Sequence, residues 1–513
     1  MKKSLFQKAG MLFNRKFQKS LVYLFGFHFI LLIIRVLYVL FRDIDLSTEE
    51  AQYWLWSKHL DWSYYSKPPL IAYLNAISTS ILGDTEIGVR INAIIIGFFI
   101  AIFTYFFTKI LFKDEKIAIL SSIFIYFFLP YDLASILFLT DSPFSLFWVL
   151  TLISFYLAFN KNRPKYWILT GVFAGLGFLS KFLTLLFYPL AFLFLLFYRK
   201  SLIKEKWFYI SFLIFILFTI PIMIWNIQHD FITLKHIEKL AGFAHSSSSS
   251  KPFFNFKYLG DYILGQIGFG FGFLFPFVLY AVFKATKEKE VKFKYLIWFP
   301  LFVFLLFLFI SLKKRVYVNW PVFSYFTLYI LTLFFIYKRK LYKLVIPFLA
   351  LNLIAIVITF YTPLLDKVGL TNLLPPEKDP TKRLVGWEGL GNFVSDKIKQ
   401  LETDKYFVFS DSYHIASELA FYIRPFTQTY CINTGRRMNQ FDLWPGISQF
   451  ENQGYYGIYV TGGNIQPIVL KGFDQLITKY TYKVKYRGKV VNVFYIYVLK
   501  NLKHIYQIKP KTY

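Results

Sequence analysis

Residues 47–70, STEEAQYWLWSKHLDWSYYSKPPL, fall between two apolar stretches and concentrate groups able to do chemistry. They hold adjacent carboxylates (Glu49, Glu50), three tyrosines, three tryptophans and a lysine followed by two prolines. A carboxylate at a membrane surface can serve as a general base or a metal ligand. The run Ser47-Thr48-Glu49-Glu50 also reads as a helix N-terminal cap, with acids favoured by the helix dipole. On such a helix Glu49 shares a face with Tyr53, and Glu50 with Trp54. Glu49 is the candidate catalytic acid; Glu50 and Tyr53 are candidates for touching substrate. In Lys67-Pro68-Pro69 the prolines stiffen the backbone and fix where the lysine points. Its ammonium suits a lipid phosphate, although a lysine snorkelling at the interface has the same pattern.

Further candidates lie far away in the chain. Asp141, in Leu139-Thr140-Asp141-Ser142-Pro143, stands at the start of an apolar run, where an acid is expensive and a functional candidate by default. A helix start with Pro143 in its first turn fits the same residues. Asp132 is a weaker rival nearby. Lys313, Lys314 and Arg315 place cations on the side that basic residues normally avoid, and an anionic ligand is the simplest reason. Lys181 faces the same side. Acids that activate a hydroxyl, set among cations that hold a phosphate, are what transfer from a phosphate-linked lipid needs.

These residues are carried by apolar helices. The chain of 513 residues is 56% hydrophobic, above the usual range of soluble domains, so it reads as an integral membrane protein. Runs able to span a bilayer are 19–41, 87–112, 116–131, 142–160, 165–180, 182–199, 207–225, 259–283, 293–312, 317–337 and 341–361, about 11 transmembrane helices. With that count the basic loops fall on one side, the cytoplasm. Residues 42–86, 132–141, 226–258, 313–316 and everything from 362 then lie outside. The formal net charge of +29 is explained by those loops, and no nucleic-acid-binding motif interrupts the pattern. The basic N-terminus precedes an uncleaved first span, because no small-residue cleavage site follows it. The single cysteine, Cys431, permits no intrachain disulfide.

Residues 226–258 contain His229, His236, His245 and five consecutive serines (246–250), read as a solvated loop without metal-ligand spacing. The tail, 362–513, is less apolar and punctuated by Gly and Pro. It predicts strands at 406–410, 428–432 and 457–460, helices at 413–422 and 465–479, and a terminal hairpin of 483–486 with 490–499. That alternation implies a small α/β domain. The Arg436-Arg437 pair could hold an anionic acceptor or be an ordinary surface pair.

The order of these segments resembles glycosyltransferase family 39, in the bacterial branch related to protein mannosyltransferases and the lipid A aminoarabinose transferase. The family's Asp-Glu-Ala-x-Tyr-Trp corresponds to Glu49-Glu50-Ala51-Gln52-Tyr53-Trp54, its Lys-Pro-Pro-Leu to residues 67–70, and its Thr-Asp-Ala-Pro to residues 140–143. Further likenesses are GLGFLSKF (175–182), WNIQHDFITLKH (225–236), SLKKRVYVNWP (311–321), DSYHIASELAFY (411–422) and NTGRRMNQFDLWPG (433–446). The resemblance implies a GT-C fold: a polytopic α-helical module, 1–361, with outer loop 42–86, followed by an extracytoplasmic α/β domain, 362–513. It implies inverting transfer from a polyprenyl-phosphate sugar. By motif position Glu49 and Asp141 are the catalytic acids, and Lys67 contacts the donor phosphate with help from Arg315 and Tyr317. Glu50, Tyr53, Lys181 and Lys313 complete the substrate-binding set. Two departures stand out. The first acid is Glu rather than Asp, one methylene longer. Ser66 stands where the aminoarabinose branch has an acid associated with metal; no cofactor is required, though a divalent metal is compatible with the family.

The expected function is transfer of a sugar to lipid A or another envelope glycan, on the outer face of a bacterial inner membrane. A flippase of lipid-linked sugars would share the spans and cations but needs no acid-rich outer loop, and it would show paired inverted halves, which the sequence lacks. A protein O-glycosyltransferase differs only in its acceptor.

Overall fold

The computed structural model describes residues 2–42, 44–241 and 255–507. His245 and the serines 246–250 lie outside the described residues. All eleven apolar runs contain helix. Among the described residues seven helices have the length and composition to cross a membrane: Leu21–Phe41, Glu86–Phe112, Asp141–Lys161, Lys206–Gln228, Phe256–Lys287, Val291–Ser311 and Tyr342–Phe360. Phe182–Tyr198 and Val322–Lys338 are apolar but shorter, and Pro164–Ser180 is a helix of 17 residues. The count of eleven spans is therefore not reached on length.

The run 116–131 departs most from its expectation. Its α-helix covers only Glu115–Phe124, a 3-10 turn follows at Ile125–Phe127, and a separate short helix occupies Leu129–Ala134. Pro130 starts that short helix because it has no N–H to continue the previous one. Asp132 forms an ion pair there with Arg35 of the first span. It is spent on packing the short helix and is not a rival to Asp141. The outer loop also holds an apolar helix, Leu70–Leu82, too short to register as a span.

Beyond Phe360 the architecture changes. Five strands, β1 (Tyr406–Ser410), β2 (Thr429–Cys431), β3 (Tyr456–Thr461), β4 (Phe473–Tyr486) and β5 (Lys489–Leu502), form one sheet in the order β2-β1-β3-β5-β4. β1 pairs parallel with β2 and β3, while β5 runs antiparallel to β3 and β4. The helix expected at 465–479 is confined to Pro467–Lys471. Gly472 ends it, and the alternating TKYTYKVKY that follows suits one strand of a long hairpin better than a helix.

The tail packs on the outer loop. Helix Tyr413–Tyr422 lies against helix Thr48–Ser57, with Trp54 edge-on to Phe421 (4.8 Å) and Phe426 (5.7 Å). The Leu46 amide donates to Tyr422 Oη (2.7 Å), Trp387 N to Asp45 Oδ2 (2.6 Å) and Tyr65 N to Gln440 Oε1 (2.7 Å). Aromatic residues of the loop and of the tail thus share one core.

Candidate active site

The helix Thr48–Ser57 begins with a reciprocal cap. The Glu50 amide donates to Ser47 Oγ (3.3 Å), and the Ser47 amide donates to Glu50 Oε2 (2.9 Å). Satisfying both ends of the cap turns Glu50 inward, and the helical rotation of about 100° per residue turns Glu49 outward. Glu50 and Arg90 are fully buried and paired: Arg90 Nε donates to Oε1 (3.1 Å) and Nη2 to Oε2 (3.0 Å). The Phe138 amide adds a bond to Oε1 (2.9 Å). Burial alone would raise the Glu50 carboxyl, but Arg90 and the Ser47 and Phe138 amides bring it below its ordinary range. Four donors leave it nothing to offer a substrate, so the expected substrate contact at Glu50 is replaced by a structural one. Glu49 is exposed, and among the described residues its carboxylate accepts only from Thr48 Oγ1 (3.1 Å).

Lys67 is aimed by a rigid aromatic turn. Tyr64 stacks on Trp56 at 4.4 Å and donates from its hydroxyl to the carbonyls of Trp56 (3.0 Å) and His59 (3.1 Å). Its amide donates to the Lys67 carbonyl (3.1 Å), and Trp225 Nε1 anchors Asp61 (2.7 Å). Among the described residues the Lys67 ammonium forms no ion pair or hydrogen bond. Burial, then the neighbouring charge of Lys181, pushes it down to about 8. Lys181 is itself paired with Asp141, Nζ to Oδ1 2.8 Å. Asp141 opens the helix Asp141–Lys161, as the position of Pro143 suggested. Tyr53 lines the cavity with these acids; burial, then the charges of Glu49 and Asp141, holds its phenol well above its ordinary value.

Glu49, Tyr53, Lys67, Asp141, Lys181 and Tyr317 all line one cavity of about 740 Å³ between the helical bundle and the tail. Glu50, Lys313 and Arg315 do not. Lys313 and Arg315 are exposed on the loop after helix Val291–Ser311, and that segment reaches the cavity through Tyr317, Asn319 and Trp320 instead. Their place at the site was expected because their charge runs against the positive-inside bias, but charge does not say which way a side chain turns.

The wall also holds Arg42, Arg383 and Tyr413, which were not picked from the sequence, and His236, which lies buried on the helix Ile232–Ala241 rather than in the solvated loop expected there. His236 is buried against Tyr65 (4.7 Å), and burial, then the charges of Arg437 and Lys67, brings it down to about 4. The Arg436-Arg437 pair is split. Arg436 is neutralised by Asp442 (2.7 Å), whereas Arg437 lines the cavity. Cavity cations are thus Arg42, Lys67, Lys181, Arg383 and Arg437, against the acids Glu49 and Asp141. This excess of positive charge fits an anion. It does not fit a divalent metal: Ser66 supplies a hydroxyl beside Lys67, and no group of three His, Cys, Asp or Glu converges among the described residues.

Residues 66–225 match the family described as dolichyl-phosphate-mannose-protein mannosyltransferase. Lipid A galacturonosyltransferase RgtD of Rhizobium johnstonii is 26% identical over 313 residues, 60% of this chain and 63% of that protein. The undecaprenyl phosphate-alpha-4-amino-4-deoxy-L-arabinose arabinosyl transferase of Wigglesworthia glossinidia brevipalpis is 29% identical over 53% of this chain and 50% of its own length. The chain therefore matches between half and two thirds of the length of these relatives. In three dimensions it is similar to ArnT from Cupriavidus metallidurans bound to undecaprenyl phosphate, with TM-score 0.62, 12% identity, and coverage of 93% of this chain and 97% of that one. Sequence and fold point the same way: residues 66–225 are similar to the dolichyl-phosphate-mannose-protein mannosyltransferase family, and the chain has the GT-C fold seen in ArnT.

Proposed function

We propose that this protein is an inverting glycosyltransferase of the bacterial inner membrane, moving a sugar from a polyprenyl-phosphate donor to lipid A or another envelope glycan on the outer face. The division into a membrane module, 1–361, and an extracytoplasmic domain, 362–513, belongs to the same proposal. The observation that carries it is convergence. Seven separated segments each send a residue into one cavity: 47–70, 139–143, 175–182, 225–236, 311–321, 411–422 and 433–446 contribute Glu49, Asp141, Lys181, His236, Tyr317, Tyr413 and Arg437. The relatives named for lipid A and for undecaprenyl phosphate point to the same chemistry.

In this reading the acceptor hydroxyl attacks the anomeric carbon as the bond from that carbon to the phosphate oxygen breaks. The hydroxyl proton passes to Glu49, the cavity acid that forms no ion pair among the described residues. The bonding pair leaves with the polyprenyl phosphate, whose growing charge is met by Lys67 and Arg437. Such stabilisation of developing charge is usually the largest catalytic term. Asp141, held by Lys181, completes the acid pair, and Tyr53 supports the floor. A placed general base contributes roughly 10²–10⁴-fold; Asp141→Ala, which removes the acid that helps orient the acceptor for Glu49, is expected to lower turnover by up to that amount.

Lipid mass spectrometry of the host envelope with and without the gene tests the reading. The expected result is loss of a sugar mass from an envelope glycolipid, with polyprenyl-phosphate sugar accumulating on the outer leaflet. Accumulation trapped on the cytoplasmic leaflet would overturn it in favour of a flippase.

A further inference from the structure

Four arginines set in packed surroundings each have a carboxylate: Arg35 with Asp132, Arg90 with Glu50, Arg436 with Asp442, and Arg487 with Asp366 and Asp379. Arg42 and Arg383 differ. Both line the cavity, and neither forms an ion pair among the described residues. Arg42 lies over the Tyr361 ring at 4.7 Å, and its Nε is buried without a hydrogen-bond partner. A guanidinium N–H shielded from water and left unbonded costs free energy that a ligand would recover.

The two arginines occupy their own end of the cavity. Arg42 follows the first span, where Tyr38 Oη donates to the carbonyl of Phe360 at the end of the last apolar helix (2.9 Å). Arg383 adjoins Leu384, whose carbonyl accepts from the Asp45 amide (3.0 Å), and Thr362 joins Thr381 (3.1 Å) and Tyr486 (2.7 Å) beside them. This end therefore lies where the first and last apolar helices meet the tail. The charges that act most strongly on Lys67 are those of Lys181, Asp141, Glu49 and Arg437.

We propose that Arg42 and Arg383 form a second anion subsite, separate from the Lys67 end, that holds a phosphate group of the glycolipid acceptor as it enters between the first and last spans. The inference rests on reading the cavity as a lipid-to-lipid transfer site. Guanidinium suits the task because its planar fork can grip a phosphate with two bonds at once, which an ammonium cannot. One cavity would then hold two anionic lipids at its two ends, with Glu49 and Asp141 between donor and acceptor.

The test uses the full-length protein in nanodiscs of phosphatidylcholine. Binding of phosphorylated lipid A, dephosphorylated lipid A and polyprenyl phosphate is measured for the wild type, Arg42→Gln, Arg383→Gln and Lys67→Ala. The wild type should prefer phosphorylated lipid A by about 10- to 100-fold, the usual range for charge-assisted hydrogen bonds. Either arginine substitution should remove most of that preference while polyprenyl phosphate binding persists, which also verifies folding; Lys67→Ala should do the reverse. Arg383 is exposed, so its replacement keeps the test open if Arg42→Gln fails to fold. No preference in the wild type, a preference surviving both substitutions, or equal loss of polyprenyl phosphate would overturn the proposal. So would displacement of lipid A by added phosphatidylglycerol, which would assign the arginines to ordinary lipid headgroups. Turnover is a separate readout: normal catalysis by a Glu49 variant would undermine the catalytic reading while leaving this binding result intact.

Discussion

Glu49 and Glu50 are neighbours in the chain and opposites in the fold. Glu50 is fully buried, takes two bonds from Arg90 and two from backbone amides, and ties the outer loop to the second long span and to Phe138. Glu49, one residue earlier, lines the cavity and among the described residues has a single hydroxyl contact. The same carboxylate chemistry therefore serves anchoring on one face of a helix and is left available on the other. A carboxylate with every lone pair engaged stabilises a fold; one with spare lone pairs can accept a proton.

Breaking the anchored side should have the largest effect on stability. Glu50→Ala strands Arg90 in the interior, and removing one member of a buried pair costs about 3–5 kcal/mol. Replacing both with Leu and Met should restore part of the loss, as read by thermal unfolding in detergent. Full stability of the single variant would mean the pair does not anchor the loop.

The cavity side should respond to pH. Lys67 is pushed down to about 8 by burial and by Lys181, so it is charged below that value and neutral above it. The kcat/KM for donor reports the free enzyme and should fall as pH rises through about 8, by up to tenfold per unit. Lys67→Arg, which keeps its charge throughout, should move the decline out of that range. A profile flat across it would remove Lys67 from the donor phosphate.

The smallest effect is expected at the cap that separates the two acids. Ser47→Ala should cost about 1 kcal/mol of stability and, by loosening the helix start, raise the KM for donor more than it lowers kcat. An unchanged KM would show that the cap is not needed to orient Glu49.

Much of this arrangement was legible in the sequence because it is local. The cap, the Lys-Pro-Pro turn, the acid at a helix start and the apolar runs depend on residues close together in the chain. What was not legible depends on distance or direction. Arg90 lies forty positions from Glu50 and nothing in the spacing pairs them. The helix Leu70–Leu82 is shorter than a span and was absorbed into a loop, and the first half of β4 was read as helix because it follows a helical turn, while its end, 483–486, was read as a hairpin strand. Lys313 and Arg315 were expected at the site from their charge yet do not line the cavity, whereas Arg42 and Arg383 look like ordinary interfacial basic residues until the fold sets them on its wall.

The central claim is that Glu49 is the base. Single-turnover transfer by purified Glu49→Gln protein, alongside its polyprenyl phosphate binding, tests it most directly. The account predicts a rate lower by about 10²–10⁴-fold with donor-lipid binding retained. Near-normal transfer by this variant would contradict it.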